Sequence, residues 1–219
     1  MRPLADTFWE FLDAPLRPRS RLLLITLIVP LLLSFAFPLW RISMKAPQYP
    51  DGLAMDIYSY KVVGGNDGHD IQEINLLNHY IGMQTITRQE LRDLDWIPFG
   101  LIAMALLALR AALLGNVRTI IDLSMIAAYI SAVAFGRFVW MLWEFGHNLD
   151  PKAPVRIEPF MPVVVGEKQI ANFLTHSMPQ FGSVLMGVFI VGVWGMTLCY
   201  LWRGRQQARS LASAAGGIS

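Results

Sequence analysis

The fold is decided by two long apolar stretches in the middle of the chain, WIPFGLIAMALLALRAALL (residues 96–114) and TIIDLSMIAAYISAVAFGRFVWMLWEF (residues 119–145). Each has roughly the 20 mostly apolar residues that a helix needs to cross a membrane. They are separated by the short turn GNVR (residues 115–118), and so short a turn favours two antiparallel helices. This stretch therefore predicts a pair of adjacent membrane spans.

Two further apolar stretches flank this pair, at residues 21–40 and 181–202. The first is longer than the apolar region of a typical cleaved signal peptide. Only 16% of the 219 residues are charged, whereas about a quarter are charged in a soluble domain. We therefore predict an all-α membrane protein with four transmembrane helices, joined by the turn and by two extended outer loops at residues 41–95 and 146–180.

The arginines predict the orientation, because Lys and Arg accumulate near span ends on the cytoplasmic side of a membrane. If the chain crosses four times, three arginine groups share one side: Arg17, Arg19 and Arg21, then Arg118, then Arg203, Arg205 and Arg209. Both terminal segments, residues 1–20 and 203–219, are then cytoplasmic, and the two loops face the outer, non-cytoplasmic side. Residues 1–20 suit either an interfacial helix or a disordered tail.

Ionisable and small residues within the spans predict contacts there. Arg110 and Asp122 lie at similar distances from the turn, so they can pair across it. Arg137 begins a polar stripe that continues at helical spacing to His147; it suits either a buried helix face or a snorkelling arginine. Small residues allow helices to approach closely. The last span carries four glycines that predict such a packing face: Gly182, Gly187, Gly192 and Gly195.

The outer loops contain a set of side chains suited to copper. Imidazole together with thioether is the ligand combination that favours cuprous copper. The loops hold all four histidines of the chain and two methionines close to them in sequence, which form the predicted ligand pool: His69, His79, Met83, His147, His176 and Met178. His79 and Met83 would share a face if this segment is helical. The alternative is that Met83 packs in a loop core, since methionine fills irregular apolar gaps.

Four segments of these loops carry a resemblance to known proteins: NDGHDI (residues 66–71), LNHYIGM (77–83), HNLDPKAP (147–154) and IANF (170–173). They resemble a group of largely uncharacterised bacterial membrane proteins associated with copper-dependent respiratory and nitrous-oxide-reducing systems. The resemblance covers both loops, under half of the chain, and implies a periplasmic copper or electron-transfer context. It brings no catalytic residues, and it points to His79, Met83 and His147 as candidates.

These observations rank the possible functions. The leading hypothesis is a copper-handling or accessory membrane protein of a respiratory or cuproenzyme system, with copper as its candidate cofactor. The alternative is a non-catalytic structural subunit or assembly factor of a larger membrane complex, and in both cases we expect a protein partner in addition to membrane lipid. A transporter ranks third, because four spans without an internal repeat are few for a translocation path. No nucleophile, acid pair or cofactor motif predicts independent catalysis, and the small net charge of +2 disfavours nucleic acid.

Overall fold

The computed structural model describes residues 4–87, 89–170 and 173–216. Residues 1–3, 88, 171–172 and 217–219, which fall within the predicted terminal segments and loops, lie outside the described residues. The helices are α1 (Leu4–Asp13), α2 (Pro18–Leu33), α3 (His69–Tyr80), α4 (Asp93–Leu114), α5 (Val117–His147) and α6 (Phe181–Gly216). The strands are β1 (Trp40–Ala46), β2 (Tyr49–Ile57), β3 (Val62–Gly64), β4 (Gly166–Ile170) and β5 (Phe173–Pro179).

Within the described residues, four helices are long and apolar enough to cross a membrane: α2 with the short 3-10 turn that follows it, α4, α5 and α6. The prediction of four long apolar helices is confirmed. The first of them ends earlier than predicted, because the chain leaves the helix after Ala36 and enters β1 at Trp40. The apolar residues between these positions extended the hydrophobic stretch without extending the helix.

The all-α prediction was wrong for the segments between the helices. Residues 41–95 and 146–180 were predicted as extended loops, but together they build a five-stranded antiparallel sheet with the strand order β3-β2-β1-β5-β4. The central strand β1 pairs with β2 from the same segment and with β5 from the other segment. Pairing satisfies the backbone hydrogen-bonding groups of both segments. The two segments therefore form one structure.

One face of the sheet is apolar and is covered by α3. Side chains alternate between the two faces of a strand, and β1 accordingly turns Ile42 and Met44 toward this face while Arg41 and Ser43 point to the other. A small core forms where Leu53 of β2 meets Ile74 and Leu77 of α3. The covered face of the sheet thus encloses the apolar interior of this part of the chain.

A buried carboxylate fixes α3 to the sheet. Asp70, in the first turn of α3, is 4% exposed. Its side chain accepts a 2.8 Å hydrogen bond from the backbone N–H of Ala54 in β2 and a 2.7 Å bond from the Asn66 side-chain amide. Gly65 approaches this carboxylate so closely that a Cβ there would lie 2.4 Å from Asp70 Oδ2. The sequence NDGHD therefore positions α3 as well as turning the chain.

The chain divides into two compact units. We call Leu33–Leu101 with Ile130–Met186 the sheet unit, and Met1–Leu32, Ile102–Tyr129 and Gly187–Ser219 the helical unit. In the helical unit, the Tyr200 hydroxyl accepts a bond from Arg17 N–H (2.9 Å) and donates to Ser20 Oγ (2.9 Å). Ser124 and Thr197 also join α5 to α6 through their hydroxyls.

Candidate functional site

Two of the four loop segments quoted above, residues 77–83 and 147–154, meet within the sheet unit. The N–H of Asp150 donates to the carbonyl of Gly82 (2.8 Å), and the N–H of Val155 donates to the carbonyl of Tyr80 (2.9 Å). Gly82 has φ +78°, and a Cβ there would lie 2.8 Å from the Asp150 carbonyl oxygen. Glycine is therefore required both by the backbone conformation and by the close approach. We call this contact between residues 79–83 and 147–155 the motif junction.

His147 lies at this junction, at the end of α5. Its Nδ1 is 2.9 Å from the carbonyl oxygen of Trp143, one helical turn earlier, and its ring stacks on the Trp143 indole at 4.5 Å with planes 19° apart. A carbonyl oxygen only accepts, so Nδ1 carries the proton and the lone pair of the neutral ring is on Nε2. This contact orients the ring and is made by the tautomer that carries its proton on Nδ1.

A shallow pocket of about 300 Å³ adjoins this histidine. Ile81 from one motif and His147 and Asp150 from the other line it, together with Arg156. The pocket combines an imidazole, a carboxylate and a guanidinium on an otherwise apolar surface.

The other residues of the predicted ligand pool are distributed over several elements. His69 and His79 both lie on the exposed face of α3, at its first and last turns. His79 and Met83 do not share a helical face, because α3 ends at Tyr80 and the left-handed Gly82 redirects the chain. Met83 turns inward and lines an apolar cavity.

His176 and Met178 project from the opposite face of the sheet. They alternate along β5 with Thr175 and Ser177, which are buried. In the strand register, His176 pairs with Glu167 of β4 and with Ser43 of β1. This face is polar, and the Arg41–Asp56 ion pair lies on it at 2.6 Å. The carboxylate of Asp56 raises the pKa of Arg41 through this hydrogen bond.

Across the residues that the structure describes, no three His, Cys, Asp or Glu side chains group together in a way that could hold a metal ion. Among the described residues, a metal at the motif junction would therefore take at most two ligands of these types, such as His147 with Asp150, and the others would be thioether, backbone or externally supplied ligands.

An apolar cavity of about 110 Å³ lies between the sheet, α3 and the end of α5. Four methionines from four separate segments line it: Met44, Met55, Met83 and Met141. Sequence analysis selected Met83 as a ligand candidate and missed Met44 and Met55. The alternation of apolar and polar residues in β1 was the signal that could have located the first of them.

The predicted contacts of the spans have mixed outcomes. Arg137 pairs with Asp93 at the start of α4 (Nε to Oδ1, 3.1 Å), and Trp96 Nε1 donates to the same carboxylate oxygen at 2.9 Å. No ion pair joins Arg110 to Asp122 among the described residues, and both side chains are exposed. Their positions on the helices direct them to the surface instead of toward each other.

The glycines of α6 divide in the same way. A Cβ at Gly182 would meet the Pro38 carbonyl at 2.7 Å, and one at Gly192 would meet the Leu27 side chain at 2.6 Å. Gly187 and Gly195 have no such neighbour within 4 Å in the described structure. Two of the four glycines therefore permit close packing within the chain.

Comparison with protein-family models, with curated proteins and with solved structures gives no match for this chain.

Proposed function

We propose that this protein is a copper-handling accessory protein of a bacterial inner membrane, with residues 41–95 and 146–180 on the periplasmic side and the motif junction as its metal site. The arginines that flank the helices on the other side support this orientation through the positive-inside rule. The resemblance of the junction segments to proteins of copper-dependent respiratory systems supports the choice of metal.

The observation that carries the proposal is the geometry of His147. Histidines that bind metals generally donate the N–H of the second ring nitrogen to a carbonyl or carboxylate, which fixes the ring and makes the other nitrogen a better ligand. His147 makes this bond to Trp143. The Nε2 atom is then the nitrogen that would bind copper.

A single oriented imidazole suits transient binding better than permanent storage. Metal affinity rises with the number and geometry of the ligands that the protein supplies. Here the remaining ligands would come from nearby side chains or from the donor or acceptor protein. An accessory role in passing copper to a periplasmic cuproenzyme follows from this incomplete ligand set, and it requires no catalytic chemistry.

The direct test is anaerobic titration of the purified full-length protein with Cu(I) in competition with a colorimetric Cu(I) chelator. We expect about one Cu(I) per chain, and a loss of affinity of at least about tenfold in His147→Ala, the size typical for a disturbed metal ligand. His176→Ala is the matched control, because His176 projects from the far face of the sheet. Equal affinity in the wild type and His147→Ala would refute the site, and the absence of Cu(I) binding would refute the function.

A second function, a non-catalytic subunit of a larger membrane complex, is favoured by an exposed apolar surface beside the junction. Leu76 and Tyr80 lie on the exposed face of α3, and Val155 is joined to Tyr80 through the backbone. Exposed apolar patches outside a membrane often mark protein interfaces. Purification in mild detergent tests this, and we expect a partner protein to co-purify in stoichiometric amount. The partner should be lost from the Leu76→Glu variant and retained by the control variant Leu174→Glu. A stable monomer without a partner contradicts it.

A further inference from the structure

The apolar cavity of the sheet unit has a composition different from that of the motif junction. Its wall is built almost entirely of aliphatic, thioether and aromatic side chains, including Ile74, Leu77, Phe145 and Phe173. Asn78 and Thr175 are its polar lining residues, and the Asn78 amide already donates to the Gln84 carbonyl at 3.3 Å. Nothing in this wall offers a strong anchor for a charged group.

A cavity with this lining is a poor place for water and a good one for hydrocarbon. Water in a protein interior needs two to four polar partners, and engineered apolar cavities of roughly 150 Å³ stay dry and take up benzene or xenon. At about 110 Å³, this cavity matches a short stretch of an aliphatic chain. An empty space of this kind also forfeits dispersion contacts, so filling it with an apolar group is favourable.

The four methionines make the cavity adaptable. Methionine is unbranched and flexible, and it is frequent at surfaces that accept apolar partners of variable shape. Met44 and Met55 come from neighbouring strands, whereas Met83 follows α3 and Met141 belongs to α5. Each side chain can therefore move independently to fit a chain that bends.

The position of the cavity identifies the source of the ligand. Met141, Leu142 and Phe145 lie in the last turns of α5, one of the helices suited to crossing a membrane. Trp140 and Trp143 in the same turns are exposed, and tryptophan is enriched where a membrane meets water. The cavity is partly open to the outside.

We propose that this cavity binds a segment of a hydrocarbon chain drawn from the membrane, either a phospholipid acyl chain or an isoprenoid tail. Both sources offer the same flexible apolar chain, and the cavity supplies no polar group that would choose between their head groups. This site shares Ile81 and Met83 with the motif junction, but hydrocarbon binding in it does not depend on copper binding.

The test is photo-crosslinking of the full-length protein in phosphatidylcholine and phosphatidylglycerol nanodiscs. One sample contains a phosphatidylcholine with a diazirine in its acyl chain, and a second contains an isoprenoid chain with the same group. After irradiation, peptide mapping should find adducts in segments 78–86 and 141–145. The sample that gives them identifies the source of the chain.

Met83→Trp fills the cavity, and we expect it to lower the yield of these adducts by at least about fivefold because the added ring occupies the space. Met125→Trp is the control, since Met125 is an exposed methionine of α5 that does not line the cavity, and it should leave the yield unchanged. Should Met83→Trp fail to fold, the wild-type map still decides. Adducts confined to exposed span residues such as Leu106 and Leu113 would overturn the proposal. It would also be overturned if no adducts formed in the cavity and Met83→Leu abolished Cu(I) binding.

Discussion

The helical unit and the sheet unit are stabilised by hydrogen bonds of different range. In the helical unit, most backbone bonds join residues a few positions apart, and the longer-range bonds include those between residues 14–16 and 115–117 and those of Tyr200. In the sheet unit, β1 pairs with β5 across most of the chain, and Trp40 Nε1 donates to Ser177 Oγ, 137 positions away. The loss of one internal contact should therefore change the stability and amide exchange of the two units differently.

The largest expected effect comes from Asp70→Ala in the sheet unit. Removing the carboxylate leaves the part-buried N–H of Ala54 without its acceptor, and losing a hydrogen bond to a charged group costs about 3 kcal/mol. Amide exchange in β1 and β2, followed by mass spectrometry, should accelerate about 100-fold if this unit opens as one. Asp51→Ala, at an exposed position of β2, is the control. Unchanged exchange in Asp70→Ala would mean that this carboxylate does not hold α3 to the sheet.

The motif junction is the next contact to break, by Gly82→Ala. A non-glycine residue in the left-handed region costs about 1–2 kcal/mol, and the new Cβ also meets the Asp150 backbone. We expect a total of about 2 kcal/mol, seen as faster exchange in residues 80–83 and 148–155. Gly68→Ala separates the two causes, because Gly68 has φ +96° but open space around it. Equal losses in both variants would show that strain alone accounts for the effect.

Much of the helical unit could be predicted from the sequence because its information is local. The span predicted at residues 96–114 agrees with the observed helix α4, Asp93–Leu114. The length of the apolar stretch was enough to predict this helix. The sheet was missed although β1 alternates well, with Ile42 and Met44 against Arg41 and Ser43. Its partner β5 shows the opposite pattern, with Thr175 and Ser177 buried and Leu174 exposed. Sequence periodicity predicts a strand when apolar residues lie on its buried face and polar residues on its exposed face. In β5 this order is reversed, so the strand could not be predicted from periodicity.

The candidate site was also predicted only in part, for a related reason. Residue type identified His147, but its orientation by Trp143 depends on the helix extending to that position. That Met44 and Met55 line the same cavity as Met83 and Met141 could not be predicted without knowing the strand pairing and the position of α3. Spacing also misled at His79 and Met83, because Gly82 ends the helical periodicity between them.

In the helical unit, alanine substitutions at two glycines of α6 should change stability by smaller amounts and in opposite directions. Gly192→Ala places a methyl group against the buried Leu27 side chain, and overpacking of this kind costs about 1 kcal/mol or more. Gly195→Ala meets open space and should gain about 0.5 kcal/mol from helix propensity. Thermal unfolding in detergent should therefore give opposite shifts, while exchange in the sheet strands stays unchanged. Two shifts of the same sign would contradict the assignment of Gly192 to a packed contact.

The smallest expected effect is confined to high pH in the sheet unit. Tyr49 of β2 donates its phenolic proton to the carboxylate of Glu73 in α3, and this hydrogen bond raises the pKa of Tyr49 above its usual value near 10. A raised tyrosine pKa means that the protonated form is favoured in the folded protein. The contribution to stability is therefore fully present below about pH 10 and disappears as the pH rises through the folded-state pKa.

Tyr49→Phe should remove this dependence, so that the stability of the sheet unit changes less between neutral and strongly alkaline pH than in the wild type. Glu73→Gln keeps an acceptor but removes the charge, and it should bring the pKa of Tyr49 back toward its usual value in a tyrosinate absorbance titration. Because Tyr49 also packs against the core formed by Leu53, Ile74 and Leu77, Phe preserves the apolar contact. If alkaline unfolding is the same in the wild type and Tyr49→Phe, the bond between Tyr49 and Glu73 makes no pH-dependent contribution to stability, and Asp70 and the apolar core account for the attachment of α3 to the sheet.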